Sequence, residues 1–434
     1  MSAAPLRTPG AGGLSITAAA HAEDLAELPW DQPLAEWPVQ KLVGLPRGIS
    51  RHVVRFVEIS GAIVAVKETR EHLAVREYYM LKDLVRLDVP CVRPLGFVRG
   101  RRDRDGNPLD CALLTTHLRF SLPYRALFTR SMDSGTAARL VDALAVLLVR
   151  LHLVGFFWGD VSLSNTLFTR DAEAFQAFLV DAETGELHEE LTDGQREHDL
   201  TLAHTNIAGE FMDLQAGGLI DPHVDPLGVS ERLRERYTEL WQEITRTETF
   251  STAERWRVDE RVRRLNELGF DVGEIAVTTD IDGVTAHLEP KVVAPGHHVR
   301  RLKRLTGVDA KENQARRLLN DLDQYRTSLE YEGLSEEEAA ARWKREVFDV
   351  VLGAVPADLS GKLEPAQIFH EFLDHRWLRS EAEQRDVPLQ EATASYIAEV
   401  LRHRRDEASY IRAVDEQDSD TAGFYPPDPQ GEHP

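Results

Sequence analysis

The chain has 434 residues, room for two or three domains, and its 42% hydrophobic and 29% charged residues can bury sizeable cores. A formal net charge of −22 argues against general nucleic-acid binding and against docking on anionic membranes. The two cysteines, Cys91 and Cys111, lie in apolar segments and form no CxxC pair, so neither a disulfide framework nor a metal knuckle is expected, and the setting is a reducing cytoplasm. Residues 1–20 carry one early Arg and no continuous apolar run, and read as a disordered leader, not a signal peptide. The longest apolar stretch, 140–158, contains Asp142, Arg150 and His152 and reads as a buried helix and strand, not a membrane span.

In chain order, residues 21–40 hold Pro29, Pro33 and Pro38 with Trp30 and Trp37 between them. Proline at that density forbids a long helix, so a strap packing back on a domain is expected. HVVRFVEI (52–59) and AIVAVKE (62–68) are β-branched runs joined by Ser60-Gly61, a hairpin signal. Just before them, GLPRGIS places Gly44 and Gly48 where a phosphate-covering loop would sit, although GxGxxG is absent and an ordinary turn is the alternative. Residues 69–88 space Leu73, Tyr78, Leu81, Leu84 and Val85 for a helix, with Thr69 as its N-cap. Residues 92–100 and 110–118 read as strands, and RGRRDRDGNP between them as a solvated, charged hairpin loop. Residues 115–117 would link to a second lobe that opens on a long helix within 131–157. Its buried stripe is Leu140, Leu144, Leu147, Leu148 and Leu151, and Gly155 stops it.

The chemistry centres on LHLVGFFWGDVSLSN (151–165). Asp160 would orient a substrate hydroxyl and take its proton as the bond to phosphorus forms. Asn165, five residues on, offers an amide oxygen suited to Mg²⁺. A short strand from Asn165 and its partner FQAFLVD would deliver a second metal ligand, Asp181. In VAVK, strand alternation turns Lys67 away from Val64 and Val66 and into a cleft, where its ammonium would meet phosphate. A buried lysine needs a partner, and Glu77 on the following helix is the candidate, with Glu71 as competitor.

LHLVGFFWGDVSLSN resembles the catalytic loop of the protein-kinase-like superfamily, roughly LHxxGxxHxDxxxxN. It is most similar to the bacterial branch that includes the lipopolysaccharide sugar (Kdo) kinases and the RIO-type kinases. REHDLTLA (196–203) is similar to the segment whose Asp, here Asp199, braces that loop. The resemblance covers about 41–215 and implies Lys67 for phosphates, Glu77 as its partner, Asp160 as catalytic base, and Asn165 and Asp181 for metal. Trp158 stands where His or Tyr is usual, and DAE (181–183) where DFG is usual; Glu183 either adds a carboxylate near the metal or faces solvent. The remainder resembles a DUF4032-type domain found fused to such kinase-like domains.

In the second half, PHVDP (222–226) reads as a boundary, followed by amphipathic helices over 229–248 and 252–269 that either complete the helical lobe or begin the next domain, with Ser230 and Ser251 or Thr252 as caps. A hairpin over 273–293 turns at Asp282-Gly283. GHHVRRLKRLTG clusters basic residues that would grip a phosphate or an acidic partner, or simply form a solvated face. Further helices follow, one opened by a capping box at Ser335 and Glu338. In HEFLDH the two histidines stand about 140° apart on a helix, so HExxH metal geometry fails.

The expected fold is therefore α+β: a β-rich lobe and a helical lobe in a kinase-like domain (21–225), a mainly helical domain with a hairpin (226–405), and a disordered acidic tail (406–434). The expected function is ATP- and Mg²⁺-dependent phosphotransfer to a hydroxyl of a sugar, lipid-linked or protein acceptor. The alternatives are a pseudokinase-like scaffold whose second half binds a protein partner, and nucleotidyl transfer on the same scaffold.

Overall fold

Short segments of period-two apolar alternation among the first 120 residues come together in one antiparallel sheet. The computed structural model describes residues 6–9, 13–45, 52–127, 134–246, 248–251, 260, 263–264, 270–279, 285–328 and 334–404. The sheet comprises β1 (Leu6–Pro9), β2 (Ser15–Ala18), β3 (Val54–Ile59), β4 (Ala62–Thr69), β5 (Arg93–Arg99) and β6 (Cys111–Thr116), in the order β1-β2-β5-β6-β4-β3. Ser60 and Gly61, with φ of 49° and 78°, make the tight β3–β4 turn that a right-twisted hairpin needs. Val64 and Val66 face one side, packing with Trp30 and Trp37; Lys67 projects to the other, the side covered by a helix, α2 (Glu71–Arg86).

Three expectations for this lobe need revision. Residues 1–20 are not a plain leader, because β2 pairs with β5 from Ser15↔Arg99 to Ala18↔Gly96 and buries Ile16 and Ala18. A four-residue alternation was hidden in a Gly- and Ala-rich stretch. Thr69 is the last strand residue and not the helix cap, which is Arg70. Arg101 of the charged loop is buried. It donates to Glu68 (2.6 Å) and to the carbonyls of Asp110 (2.8 Å), Gln32 (2.6 Å) and Trp30 (3.3 Å). The strap over 21–40, with its short α1 (Ala22–Ala26), exposes carbonyls to the core as it packs, and a guanidinium can satisfy several at once.

The second lobe follows through β7 (Ser121–Pro123), α3 (Tyr124–Leu127), α4 (Ser134–Leu153), β8 (Phe156–Phe157), β9 (Thr166–Asp171), β10 (Ala174–Leu179), β11 (Glu186–Leu187), α5 (Asp193–Ala216) and α6 (Pro226–Thr245). The α4 stripe of Leu140, Leu144, Leu147, Leu148 and Leu151 is buried at its centre. Gly155 ends the helix with φ 78°, and a Cβ there would sit 2.1 Å from the His188 carbonyl oxygen. Leu233, Tyr237, Leu240 and Ile244 of α6 join the same core, so the helix after the Pro226 boundary completes this lobe. Asp225 caps α6 with Pro226 in its first turn, while Ser230 lies buried within it.

Beyond it lie a three-stranded sheet of β12 (Glu248–Ser251), β13 (Phe270–Thr279) and β14 (Thr285–Pro295), in the order β12-β14-β13. Then come helices α7 (His297–Thr306), α8 (Glu312–Ser328), α9 (Glu336–Trp343), α10 (Asp349–Gly353), α11 (Pro365–Glu383) and α12 (Leu389–Glu399), packed around Trp343, Phe348, Phe369, Phe372 and Tyr396. The Ser335–Glu338 capping box forms as expected. The Asp282-Gly283 turn, most of the helix expected over 252–269, and the tail over 406–434 lie outside the described residues. Among the described residues, no helix is long and apolar enough to cross a membrane.

Candidate functional site

Lys67 is the meeting point of the two lobes. Its Nζ lies 3.0 Å from Glu77 on α2, 2.9 Å from Asp181 after β10, and 3.2 Å from Glu183. Glu77, not Glu71, is the helix partner; Glu71 is exposed and reaches Arg99 at 3.5 Å. Asp181 is placed from both sides. The loop before β5 is bonded to the end of β10, Val92 N–H to the Leu179 carbonyl and Leu179 N–H to that of Pro90, both at 3.0 Å. The Trp158 indole donates to the Asp181 carbonyl at 3.1 Å. Trp158 thus gives a mechanical reason for its departure from the usual His or Tyr.

One ammonium serves three carboxylates. Burial works to lower the Lys67 pKa, but Glu77 and Asp181 outweigh it, and the group is held above its ordinary value. Burial first, then the nearby Asp181 charge, pushes Glu77 up to about 7 against the pull of Lys67. Lys67 is therefore charged, and Glu77 is poised to exchange a proton near neutral pH.

The loop after β8 lies along one face of α5. Asp199, Asn206 and Glu210 stand seven and four residues apart, within about 40° of one another and spread over about 16 Å of the helix. Asp199, fully buried, accepts from Trp158 N–H and Gly159 N–H, both at 2.8 Å, and from His152 Nε2–H at 3.1 Å. His152 in turn accepts from the Tyr237 hydroxyl of α6 at 2.7 Å through Nδ1. Asn206 donates to the Val161 carbonyl at 3.0 Å and to Asp160 Oδ1 at 3.4 Å. Glu210 accepts from Leu163 N–H (2.9 Å) and Ser164 N–H (2.8 Å). Sequence reasoning found Asp199 and missed Asn206 and Glu210. A polar stripe recurring on one helix face, between residues that are otherwise apolar, was the signal that could have found them.

Asn165 donates to both the carbonyl and Oδ2 of Asp160, each at 3.0 Å, which fixes the spacing of the two side chains. Asp160, Asn165, Asp181 and Glu183 line one cleft of about 420 Å³, together with Glu210, Asp213 and His52. The carboxylate oxygens of Glu77, Asp181 and Glu183 lie within 4.8 Å of one another. Lys67 Nζ already sits among these three, so the donors that face the cleft are Asp181 and Asn165, whose hard oxygens are of the kind Mg²⁺ takes. Gly44 stands next to Val43, which pairs with β3 through a bond to the Phe56 carbonyl (2.8 Å), and it makes no side-chain contribution to the cleft. Gly48 lies outside the described residues.

The hairpin whose base carries Asn165 and Asp181 is gripped at its tip by the C-terminal domain. Buried Asp171 accepts from Gln314 N–H (2.9 Å), Asn313 N–H (3.1 Å) and Asn313 Nδ2 (3.0 Å), capping α8. Gln367 of α11 pairs with the backbone of Ala172, accepting at 3.0 Å and donating at 3.3 Å. In HEFLDH the histidines diverge as expected. His370 approaches Asp374 (3.1 Å) and Glu173 (3.3 Å), and His375 turns to Ser395.

A strand lysine paired with a helix acid and an Asp–Asn loop braced from α5 thus meet between the two lobes. Residues 239–401 match the model of a family described as a domain of unknown function, DUF4032. A solved structure titled "WaaP in complex with acyl carrier protein" is 15% identical, aligning over 55% of this chain and 92% of that one, with a TM-score of 0.32. No curated protein matches the sequence.

Proposed function

We propose that the protein is an ATP- and Mg²⁺-dependent phosphotransferase acting on a hydroxyl. The observation that carries this is the convergence on one side of the Lys67–Glu77–Asp181 cluster with the Asp160–Asn165 loop, four elements distant in sequence. In this scheme Asp160 accepts the proton of the acceptor hydroxyl as its oxygen forms a bond to the γ-phosphorus. The bond from that phosphorus to the bridging oxygen breaks, and ADP leaves with the electron pair. Lys67 neutralises phosphate charge, held in place by Glu77. Asn165 and Asp181, with Glu183 alongside, would hold the metal, which when bound offsets the charge of the phosphates.

The test pairs nucleotide binding with turnover. ATP with Mg²⁺ should raise the melting temperature and be turned over slowly; Asp181→Asn should abolish both, and Asp160→Ala should abolish transfer while keeping nucleotide affinity. Unchanged turnover in Asp181→Asn would sink metal-assisted catalysis at this site. ATP binding with no hydrolysis or transfer would favour a nucleotide-binding scaffold, and label arriving only from the α-phosphate would favour nucleotidyl transfer.

A further inference from the structure

A second cavity lies on a different part of the molecule and shares no lining residue with the acidic cleft. It measures about 470 Å³ and forms where the loop before β5, the link between the lobes, β10 and the first turns of α7 and α8 meet. Five cations line it: Arg93, Arg119, Arg150, Arg300 and Lys311. Beside it, a groove of about 350 Å³ shares Pro90, Arg150, Gln176 and Glu312, and adds Arg139, Arg236 and Arg316. The two cavities flank Arg150, which is 8% exposed.

The acids along this seam are Asp88, Asp142, Asp171 and Glu312, half as many as the cations. Several already have duties. Glu312 receives the first N–H groups and the His298 ring of α7, Asp171 caps α8, and Asp142 is held in a two-pronged pair by Arg232. Asp88 is 3.9 Å from Arg300, and Lys311 pairs with Glu364. Among the described residues, Arg93 and Arg119 are exposed and form no ion pair. In a chain of net charge −22, a cavity whose walls are net positive is an exception that costs self-repulsion unless an anion enters. Arginine dominates it, and the planar guanidinium suits bidentate capture of phosphate. Apolar Val89, Phe178 and Val299 supply a dry wall beside the charges.

We propose that this seam between the kinase-like domain and the C-terminal domain binds a small molecule carrying two or more phosphates, with one phosphate held at Arg93 and Arg119 and another near Arg150. Such a ligand touches the link between the lobes, the loop bonded to β10 and the C-terminal domain at once. It is thereby placed to report on their relative position.

The test uses the full chain with inorganic tripolyphosphate in EDTA, so that the acid-lined cleft has no cation to recruit it. Calorimetry should show saturable binding with one site per chain. The double reversal Arg93→Glu with Arg119→Glu should weaken it at least about tenfold while leaving the unliganded melting temperature unchanged. Lys67→Met should leave binding intact. Absence of saturable binding at millimolar ligand would overturn the proposal. So would binding that survives the double reversal, or binding that is lost in Lys67→Met.

Discussion

Asp199→Asn isolates the brace beneath the loop over 158–165, because it keeps the volume and removes the charge. In the native protein the carboxylate, 0% exposed, accepts three hydrogen bonds, from Trp158 N–H, Gly159 N–H and His152 Nε2–H. If the amide oxygen takes the Oδ2 position it keeps Trp158 and His152, but as neutral bonds, each weaker by about 1 kcal/mol. Its NH₂ then faces the Gly159 N–H, and a buried donor left without an acceptor costs about 1–3 kcal/mol. The total is about 3–5 kcal/mol, which for a domain of this size lowers the melting temperature by about 6–20 °C. The measurement is thermal denaturation at neutral pH, with Asp193→Asn as control, since that side chain is 97% exposed on the same helix. Asp199→Asn melting no lower than the control would refute the bracing role. The loop would then be held by Asn206 and Glu210 alone.

The remaining predictions concern titration and the domain joint. Burial pushes His117 down to about 4, against an ordinary imidazole value near 6.5. The unfolded chain therefore takes up the proton first, so His117 contributes stability that is present above pH ~6.5 and is lost as pH falls toward ~4. His117→Phe should flatten that part of the stability curve in urea titrations across the range, and an unchanged slope would contradict it. Asp171→Ala leaves the first N–H groups of α8 without their acceptor. It should cost about 3 kcal/mol and raise amide exchange at Asn313 and Gln314, and native-like protection there would show that Gln367 alone secures the joint.

The parts of the site that depend on local sequence were legible. Lys67 was placed by strand alternation, Asp160 and Asn165 by their spacing in one short loop, and Asp181 by the end of an apolar run, and the structure brings all four together. What could not be read was long-range satisfaction of polar groups. Arg101 looked like one more solvated loop cation, and only the carbonyls of a strap about seventy residues upstream explain its burial. For a related reason the sequence leaves open whether the helix after Pro226 completes the second lobe or begins the next domain. A proline after an acidic turn marks the start of a helix as readily as the end of a domain, and Tyr237 is tied to α4 of the second lobe through His152, a contact that no local pattern announces. The place of Asp171 at a hairpin tip is likewise explained only by α8, whose first N–H groups it accepts.

The charges of the two cavities bear on how a nucleotide could use the cleft. Asp160, Asp181, Glu183, Glu210 and Asp213 line it, with no lysine or arginine among the lining residues. Burial raises Glu210, so part of this cleft is poorly solvated and disfavours an unpaired charge. A free polyphosphate brought there meets repulsion on nearly every side, with the Lys67 ammonium as counter-charge and three carboxylates already claiming it. On the proposed phosphotransferase reading, nucleotide binding at this cleft would depend on a divalent cation far more steeply than a single lysine–phosphate contact would require. Glu183, in the Ala182-Glu183 pair after Asp181, would increase that dependence. Glu183, at 3.2 Å from both Lys67 and His52, is close enough to compete with phosphate for the ammonium until a cation draws it away.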